Sequence, residues 1–163
     1  MNSQFYSGVK PTLRPELILP EVTIIMPVYK ESLDTVISPT VKSLNEAITT
    51  YERQGGSARI LVCEDGMQCI SLELQEARRD FYDRQGIAWV ARPPHSADFE
   101  RKGRFKKASN MNFAMELSLR VEEFMAETEG TDGSIEEVSY KQAFQKTVEQ
   151  SEGRAWAEGD IRM

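Results

Sequence analysis

The sequence predicts an α/β fold of Rossmann-like type, in which helices flank a parallel sheet. Two observations support this prediction. Three short apolar runs, each with the composition of a buried strand, alternate with segments whose apolar residues recur at helical spacing. The connections between the runs are long enough to hold helices, as right-handed crossovers between parallel strands require. With 163 residues the chain is long enough to bury a core of its own.

The strands are identified by apolar runs that stop at turn residues. The first is predicted over 22–28, where Val22–Met26 is apolar or β-branched without alternation and so indicates burial on both faces. The helix after it shows an apolar face and ends at Gly55-Gly56. The second and third strands are predicted at Arg59–Cys63 and Ile87–Ala91.

Three further helices follow from apolar periodicity. Ser71 is a suitable cap for a helix that ends at Gly86. A second helix is predicted over 109–125 and a weaker amphipathic one over 136–150. The inward face of the helix that Ser71 begins is predicted to carry Leu74, Ala77 and Phe81.

Composition divides the chain into an extended, proline-punctuated lead-in at 1–20, a β-α-β-α-β-α unit at 21–126 and an acidic stretch at 127–163. The net charge of −6 argues against binding to nucleic acid or to an anionic membrane. Arg92–Lys107 nevertheless holds six Lys or Arg residues against two acids, whereas Glu116 to the end holds twelve acids against five bases. A basic patch on an acidic protein favours a small anionic ligand.

Targeting and metal signals are absent from the sequence. No apolar run approaches the roughly 20 residues needed to span a bilayer, and residues 1–20 do not have the pattern of a signal peptide. The two cysteines and the single histidine form no zinc pattern and indicate no disulfide. We therefore expect a chain that is soluble as written, in a reducing compartment.

Polar motifs follow the first two strands at their carboxyl ends, where open parallel sheets bind ligands. After the first strand, Pro27 redirects the chain, Tyr29 is able to stack on a base or ribose, and Glu31 is an acceptor for hydroxyl or amide donors. After the second, Asp65 is an acceptor for the uracil N–H or a ribose hydroxyl, and Gly66 permits close approach. The plain alternatives are a strand-to-helix turn and a helix-capping acid.

A third motif, Lys106–Asn112, lies at the start of a predicted helix. Two lysines precede free N–H groups whose dipole favours an anion, and Ser109, Asn110 and Asn112 add neutral donors. This set suits a diphosphate linked to a sugar, although a capped helix with a solvated lysine pair has the same pattern. The preceding loop carries cations that extend the patch or, more simply, are solvated: Arg101, Lys102 and Arg104.

These motifs support a resemblance to a known family. Ile24–Glu31, with the sequence Ile-Ile-Met-Pro-Val-Tyr-Lys-Glu, resembles the opening strand and turn of the family 2 inverting glycosyltransferases, which include cellulose and chitin synthases. Cys63–Gly66 resembles the two-acid strand end of that family, and Lys107–Asn112 is similar to its Lys-Ala-Gly-Ala-Leu-Asn element. Order and spacing also match over residues 20–125, and the overall pattern most resembles fungal membrane-bound polysaccharide synthase-like members.

The resemblance implies a GT-A type fold, a UDP- or GDP-sugar donor, a carbohydrate acceptor and, in the complete enzyme, a divalent metal such as Mg²⁺ or Mn²⁺. Asp65 matches the acid that contacts the base, and Lys107 and Asn112 match residues near the diphosphate and sugar. Pro27, Tyr29 and Glu31 would lie along the nucleoside. The complete set of predicted donor-binding residues is Pro27, Val28, Tyr29, Glu31, Asp65, Lys107, Asn110 and Asn112.

Three departures limit what the resemblance implies. Met67-Gln68 follows Gly66 where the family has Ser-x-Asp, Ser109-Asn110 replaces a Gly-Ala pair, and the chain has no Asp-x-Asp. Gly159–Met163 is similar to the approach to the strand that carries Asp-x-Asp, so residues 127–158 would be an insertion before it. The GT-A type domain is therefore expected to be incomplete, and no catalytic or metal-binding residue is predicted.

The expected function is the donor-nucleotide half of an inverting glycosyltransferase of polysaccharide synthesis. We expect it to be inactive alone, on the cytoplasmic side, and membrane-associated only through regions outside this chain. A second hypothesis is a non-catalytic nucleotide-binding or interaction module whose partner surface is the acidic segment 116–163. A nucleic-acid binder built on Arg101–Lys107 is a third, which the net charge opposes.

Overall fold

The computed structural model describes residues 18–96, 99–101, 106–129, 136–151 and 156–163. Within them, the core of the fold is a sheet whose strands are β1 (Glu21–Val28), β2 (Ser57–Glu64), β3 (Ala88–Ala91) and β4 (Trp156–Glu158). Most of the predicted lead-in, part of the basic loop and parts of the acidic stretch lie outside the described residues: 1–17, 97–98, 102–105, 130–135 and 152–155.

The strands lie side by side in the order β1-β2-β3-β4. β1 pairs parallel with β2, from Glu21 opposite Ser57 to Val28 opposite Glu64, and β2 pairs parallel with β3. β4 pairs antiparallel with β3, with Trp89 opposite Glu158. The prediction of a parallel sheet is therefore correct for the first three strands, but β4 makes the described sheet mixed.

The described helices are α1 (Ser38–Glu52), α2 (Leu72–Gln85), α3 (Lys106–Glu129) and α4 (Glu136–Gln150). A short π-helical turn, Leu33–Ile37, leads into α1. The predicted bounds of α2 and α4 agree with the structure, whereas α3 begins three residues before Ser109 and continues past Met125. The predicted cap at Ser71 is confirmed, since the Ser71 Oγ accepts the Leu74 N–H at 3.4 Å.

Two hydrophobic clusters lie on opposite faces of the sheet. The first joins alternate residues of the strands, such as Val62 and Trp89, to Val41 of α1 and Tyr82 of α2. The second joins the other strand residues to apolar side chains of α3 and α4 and to Ile161: Leu61, Cys63, Val90, Leu117, Val121 and Ala143. The predicted insertion, 127–158, thus contributes a helix and a strand to the same core, because α4 supplies Ala143 and β4 packs Ala157 against it.

Two burial predictions are wrong. Val22 is 37% exposed and Thr23, Ile24 and Ile25 are only half-buried, because no strand in the described part of the chain pairs with the outer edge of β1. Leu74 is 53% exposed. The buried positions of α2 are instead Arg78 and Tyr82, which places a charged group on the inner face of the helix.

Candidate functional site

The carboxyl ends of β1 and β2 meet because the two strands are parallel and in register. Val28 lies opposite Glu64, and the Asp65 N–H donates to the Val28 carbonyl at 2.7 Å. Val28 is itself buried in the first cluster and Pro27 is half-buried opposite Cys63. The first two sequence motifs are therefore in direct contact at one edge of the sheet.

A buried trio of Glu64, Arg78 and Tyr82 lies beneath this edge. The Arg78 Nη1 donates to both Glu64 carboxylate oxygens, at 2.8 and 3.0 Å, and the Tyr82 hydroxyl donates to Oε1. Burial raises the pKa of Glu64 above its ordinary value, more than the guanidinium of Arg78 and the hydroxyl of Tyr82 lower it. Burial, with the Glu64 charge, raises the pKa of Tyr82 as well. Glu64 is thus a structural anchor enclosed by its partners.

Arg78 also holds the loop after β1. Its Nη1 donates to the Tyr29 carbonyl at 3.0 Å, and its Nη2 donates to the Glu31 carbonyl at 2.5 Å. The Glu31 carboxylate in turn accepts the Tyr29 N–H at 2.5 Å. Arg78 therefore fixes the main chain of Tyr29–Glu31 from the buried side of the loop. The half-buried Tyr29 ring lies beside Lys30, whose Nζ is 5.4 Å from the ring centroid.

Gly66 is required where the two loops touch. A Cβ added at this position would lie 1.7 Å from the Tyr29 carbonyl oxygen, far inside van der Waals contact. Only a residue without a side chain allows the loop after β2 to lie against the loop after β1. The close approach predicted at Gly66 is thus made to the protein's own backbone.

Asp65 is enclosed by two arginines. Arg92 donates to its carboxylate from Nε and, at 3.0 Å, from Nη2. The Arg101 Nη1 lies 3.2 Å from Oδ1. Arg101 further donates to three carbonyls, those of Pro93, Asp65 and Arg92. Its side chain is 10% exposed, so the prediction of a solvated Arg101 is wrong: the backbone carbonyls and Asp65 hold it against the end of β2.

The first turns of α3 are tied to the same edge. The Arg92 Nη1 donates to the Ser109 Oγ at 2.8 Å, and the buried Asn110 donates from Nδ2 to the Cys63 carbonyl at 2.7 Å. The Asn110 Oδ1 is buried without a hydrogen-bond partner. The third motif therefore reaches the first two through Arg92 and the main chain of β2.

Two predicted residues of α3 stand apart from these contacts. Lys107 is exposed in the first turn, where its charge is available to a ligand. Asn112 is also exposed, but it lies about 200° around the helix axis from Asn110, which faces the sheet. The structure therefore brings the six other predicted residues together, whereas Lys107 lies outside these contacts and Asn112 is on the far side of α3.

The acids at this edge do not fit a divalent metal. Glu64 is paired with Arg78, and Asp65 is paired with Arg92 and Arg101, so a cation would have to displace guanidinium groups. Among the side chains that the structure describes, no group of three or more His, Cys, Asp or Glu residues is arranged to hold a metal ion. We therefore assign no metal chemistry to these residues.

Cavities occur elsewhere on the surface as well. One of about 770 Å³ lies between α4 and the segment after β4, lined in part by Tyr140, Phe144 and Arg162. Another cavity of about 510 Å³ lies near Glu21 and Arg59, at the amino ends of β1 and β2 and so away from the carboxyl ends where the motifs meet. Neither is lined by a predicted donor-binding residue, so the candidate site is an open edge and not one of these cavities.

The residues that sequence reasoning missed are the buried arginines. Arg92 directly follows β3, and this position beside the ends of β1 and β2 was the available signal. Arg78 gave no signal, because a cation inside a polar helix is ordinarily solvated. Arg78 is recognisable only from its partners in the fold.

Comparison of the chain with protein-family models, curated proteins and solved structures found no match. In the part of the chain that the structure describes, no helix is both long and apolar enough to cross a membrane. The fold and site are therefore interpreted on their own geometry.

Proposed function

We propose that this chain is the donor-nucleotide-binding part of an inverting glycosyltransferase with a GT-A type domain. One observation above all supports the proposal. Three motifs that are far apart in sequence meet at the carboxyl edge of a parallel sheet, through the Val28–Asp65 main-chain bond and the Asp65–Arg92–Ser109 chain of contacts. That edge is where open α/β sheets bind nucleotides.

Each part of the edge suits one part of a nucleotide sugar. The Tyr29 ring offers a flat apolar surface for a base or ribose, and its backbone is held by Arg78. Lys107, together with the first N–H groups of α3, offers positive charge for a diphosphate. The buried Asn110 donates from Nδ2 to the Cys63 carbonyl, so its role in this proposal is to hold the start of α3 against the end of β2.

Asp65 has a less direct role in this proposal than the family resemblance implies. Both its oxygens accept from Arg92, and Oδ1 also faces Arg101. A base N–H therefore has to share the Asp65 carboxylate with these arginines. We propose that Asp65 mainly fixes the two guanidinium groups, and that contact with the base is secondary.

Substitution of an exposed lysine tests the proposal with little risk to the fold. Lys107→Ala should weaken binding of UDP or GDP about tenfold, because it removes one charge next to the diphosphate. Lys42→Ala on α1 is the matched control, an exposed lysine far from the strand ends in sequence, and should leave affinity unchanged. Calorimetric titration of both variants measures the difference, and equal affinities would contradict the assignment of the site.

The chain by itself should transfer no sugar. In the intact transferase an acceptor hydroxyl would attack the anomeric carbon while a carboxylate takes its proton. The acids at the strand ends are occupied by arginines, so this chain offers no free base there. A coupled assay should measure the same rate of UDP or GDP release from a nucleotide sugar with the protein as with buffer alone. A rate above the buffer control would overturn this part of the proposal.

A second candidate is a non-catalytic nucleotide-binding or interaction module. It is favoured by one observation, the saturation of Asp65 by Arg92 and Arg101, which leaves an anion site without an evident base-reading acid. In this case the acidic surface from Glu116 onward would bind a partner. Under the transferase proposal Lys107→Ala lowers nucleotide affinity and leaves partner binding unchanged, whereas a non-catalytic module should bind UDP and GDP equally well.

A further inference from the structure

Arg101 is held in a way that leaves one end of its guanidinium for a ligand. Its Nε donates to the Pro93 carbonyl at 2.7 Å, and its Nη2 donates to the carbonyls of Asp65 and Arg92 at 3.1 and 3.4 Å. These main-chain acceptors are neutral, so they fix the orientation of the group without cancelling its charge. The guanidinium is thus positioned by backbone.

The Nη1 end has only a shared partner. It lies 3.2 Å from the Asp65 Oδ1, which already accepts from the Arg92 Nε, while Arg92 Nη2 holds Oδ2 at 3.0 Å. Arg92 therefore contacts both oxygens of the Asp65 carboxylate, whereas Arg101 contacts only Oδ1, which it shares with Arg92. A planar guanidinium carries two N–H groups on Nη1, and one of them has no acceptor among the described contacts of Arg101.

We propose that Arg101 is a phosphate-binding residue of the donor site, whose Nη1 contacts the diphosphate of the bound nucleotide while Nε and Nη2 stay on the main chain. This inference rests on the proposed function and adds to it a residue outside the three sequence motifs. Arg92 links Arg101 to α3, since its carbonyl accepts from the Arg101 Nη2 and its Nη1 donates to Ser109 near the helix start, where an anion is favoured. Because its orientation is fixed beforehand, little side-chain entropy is lost on binding.

The test separates the phosphate from the nucleoside. Arg101→Gln should weaken UDP binding about tenfold or more, since a charge-assisted hydrogen bond is lost, and should change uridine binding less than about twofold. Arg101→Lys keeps the charge and should recover part of the UDP affinity. Arg120→Gln, an exposed arginine on α3 paired with Glu116, is the matched control and should change neither.

A purely structural role for Arg101 gives a different pattern. Both Arg101 variants would then weaken UDP and uridine by the same factor, and lysine would rescue nothing; this pattern would overturn the inference. The wild-type protein provides a second measurement if a variant does not fold. The Arg101 Nε resonance should shift with UDP and with pyrophosphate but not with uridine, and a resonance unmoved by saturating UDP would also overturn it.

The two proposals fail in distinguishable ways. If wild-type protein binds neither UDP nor GDP, the proposed function itself is wrong. If it binds UDP normally and Arg101→Gln binds UDP just as well, only the role of Arg101 is wrong. If Lys107→Ala weakens binding and Arg101→Gln does not, the diphosphate lies on α3 alone.

Discussion

Replacing Arg78 with methionine should be among the most damaging single changes in the described core. The side chain is 4% exposed and its Glu64 partner is fully buried, so Arg78→Met leaves a carboxylate without its cation. Breaking a buried ion pair costs about 3–5 kcal/mol, and the carbonyls of Tyr29 and Glu31 also lose their donor, for about 1 kcal/mol more. We expect a loss of about 4–6 kcal/mol in the free energy of unfolding, measured by urea denaturation.

Arg79→Met is a close control, because Arg79 is the next residue on the same helix. Its ion pair with Glu158 is about half exposed on both sides, so its loss should cost about 1 kcal/mol or less. Adding Glu64→Gln to Arg78→Met should recover a large part of the lost stability, because a neutral amide replaces the unpaired charge. Equal stabilities of the Arg78 and Arg79 variants would refute the reasoning.

The stability lost in Arg78→Met should depend on pH through the protonation of Glu64. The pKa of Glu64 is raised from 4.5 by burial, so protonated Glu64 favours the folded state; this contribution is complete below pH 4.5 and is lost as the pH rises through the raised pKa. Arg78→Met removes a cation that lowers this pKa, so the pKa rises further. The deficit of the variant should therefore be smaller at pH 5 than at pH 8, and a deficit that grows on acidification would contradict the assignment.

Three other predictions concern the same framework. Gly66→Ala should lower the free energy of unfolding by several kcal/mol, measured by urea denaturation, because the new Cβ clashes with the Tyr29 carbonyl. Gly86→Ala, where the only strain is a positive φ of 63°, should lower it by about 1–2 kcal/mol. A smaller loss at Gly66 than at Gly86 would contradict the close approach of the two loops. Burial raises the pKa of the Cys63 thiol to about 12, so a native-state thiol reagent should label the half-buried Cys69 first, and rapid labelling of both would be inconsistent with the structure. Burial raises the pKa of Tyr140 to about 12, so absorbance titration of Tyr140→Phe should lack one late-ionising phenol and keep the earlier ones; loss of an early one would argue against this burial.

The parallel part of the sheet was predictable because its strands are continuous apolar runs between turn residues. β4 was not predictable, since Trp156-Ala157-Glu158 is only three residues long and shows neither an apolar run nor a clear alternation. The burial of β1 was overestimated for a related reason. A run of apolar residues shows that a strand is suited to burial. How far the strand is actually exposed depends on which strands pair with it, and the local sequence does not specify those partners.

The positions of the site motifs were predictable, but their connections were not. Strand ends locate the residues from Pro27 to Asp65 at one edge, because parallel strands end together. The two carbonyls that accept from Arg78 lie 47 and 49 residues away in sequence, and one carbonyl that accepts from Arg101 lies 36 residues away. No spacing rule selects such pairs, so the buried arginines that organise the edge emerge only when the chain is folded.

The most direct test of the proposed site is a titration of isotopically labelled protein with UDP and with GDP, followed by two-dimensional amide spectra. The site predicts saturable shifts confined to the loop after β1, to Asp65 and Gly66, to Arg101, and to the first turn of α3 around Lys107. The amides of Tyr140 and Phe144, beside the larger cavity, should not move. Shifts centred on that cavity, or no shifts at millimolar nucleotide, would contradict the assignment of the strand ends as a nucleotide site.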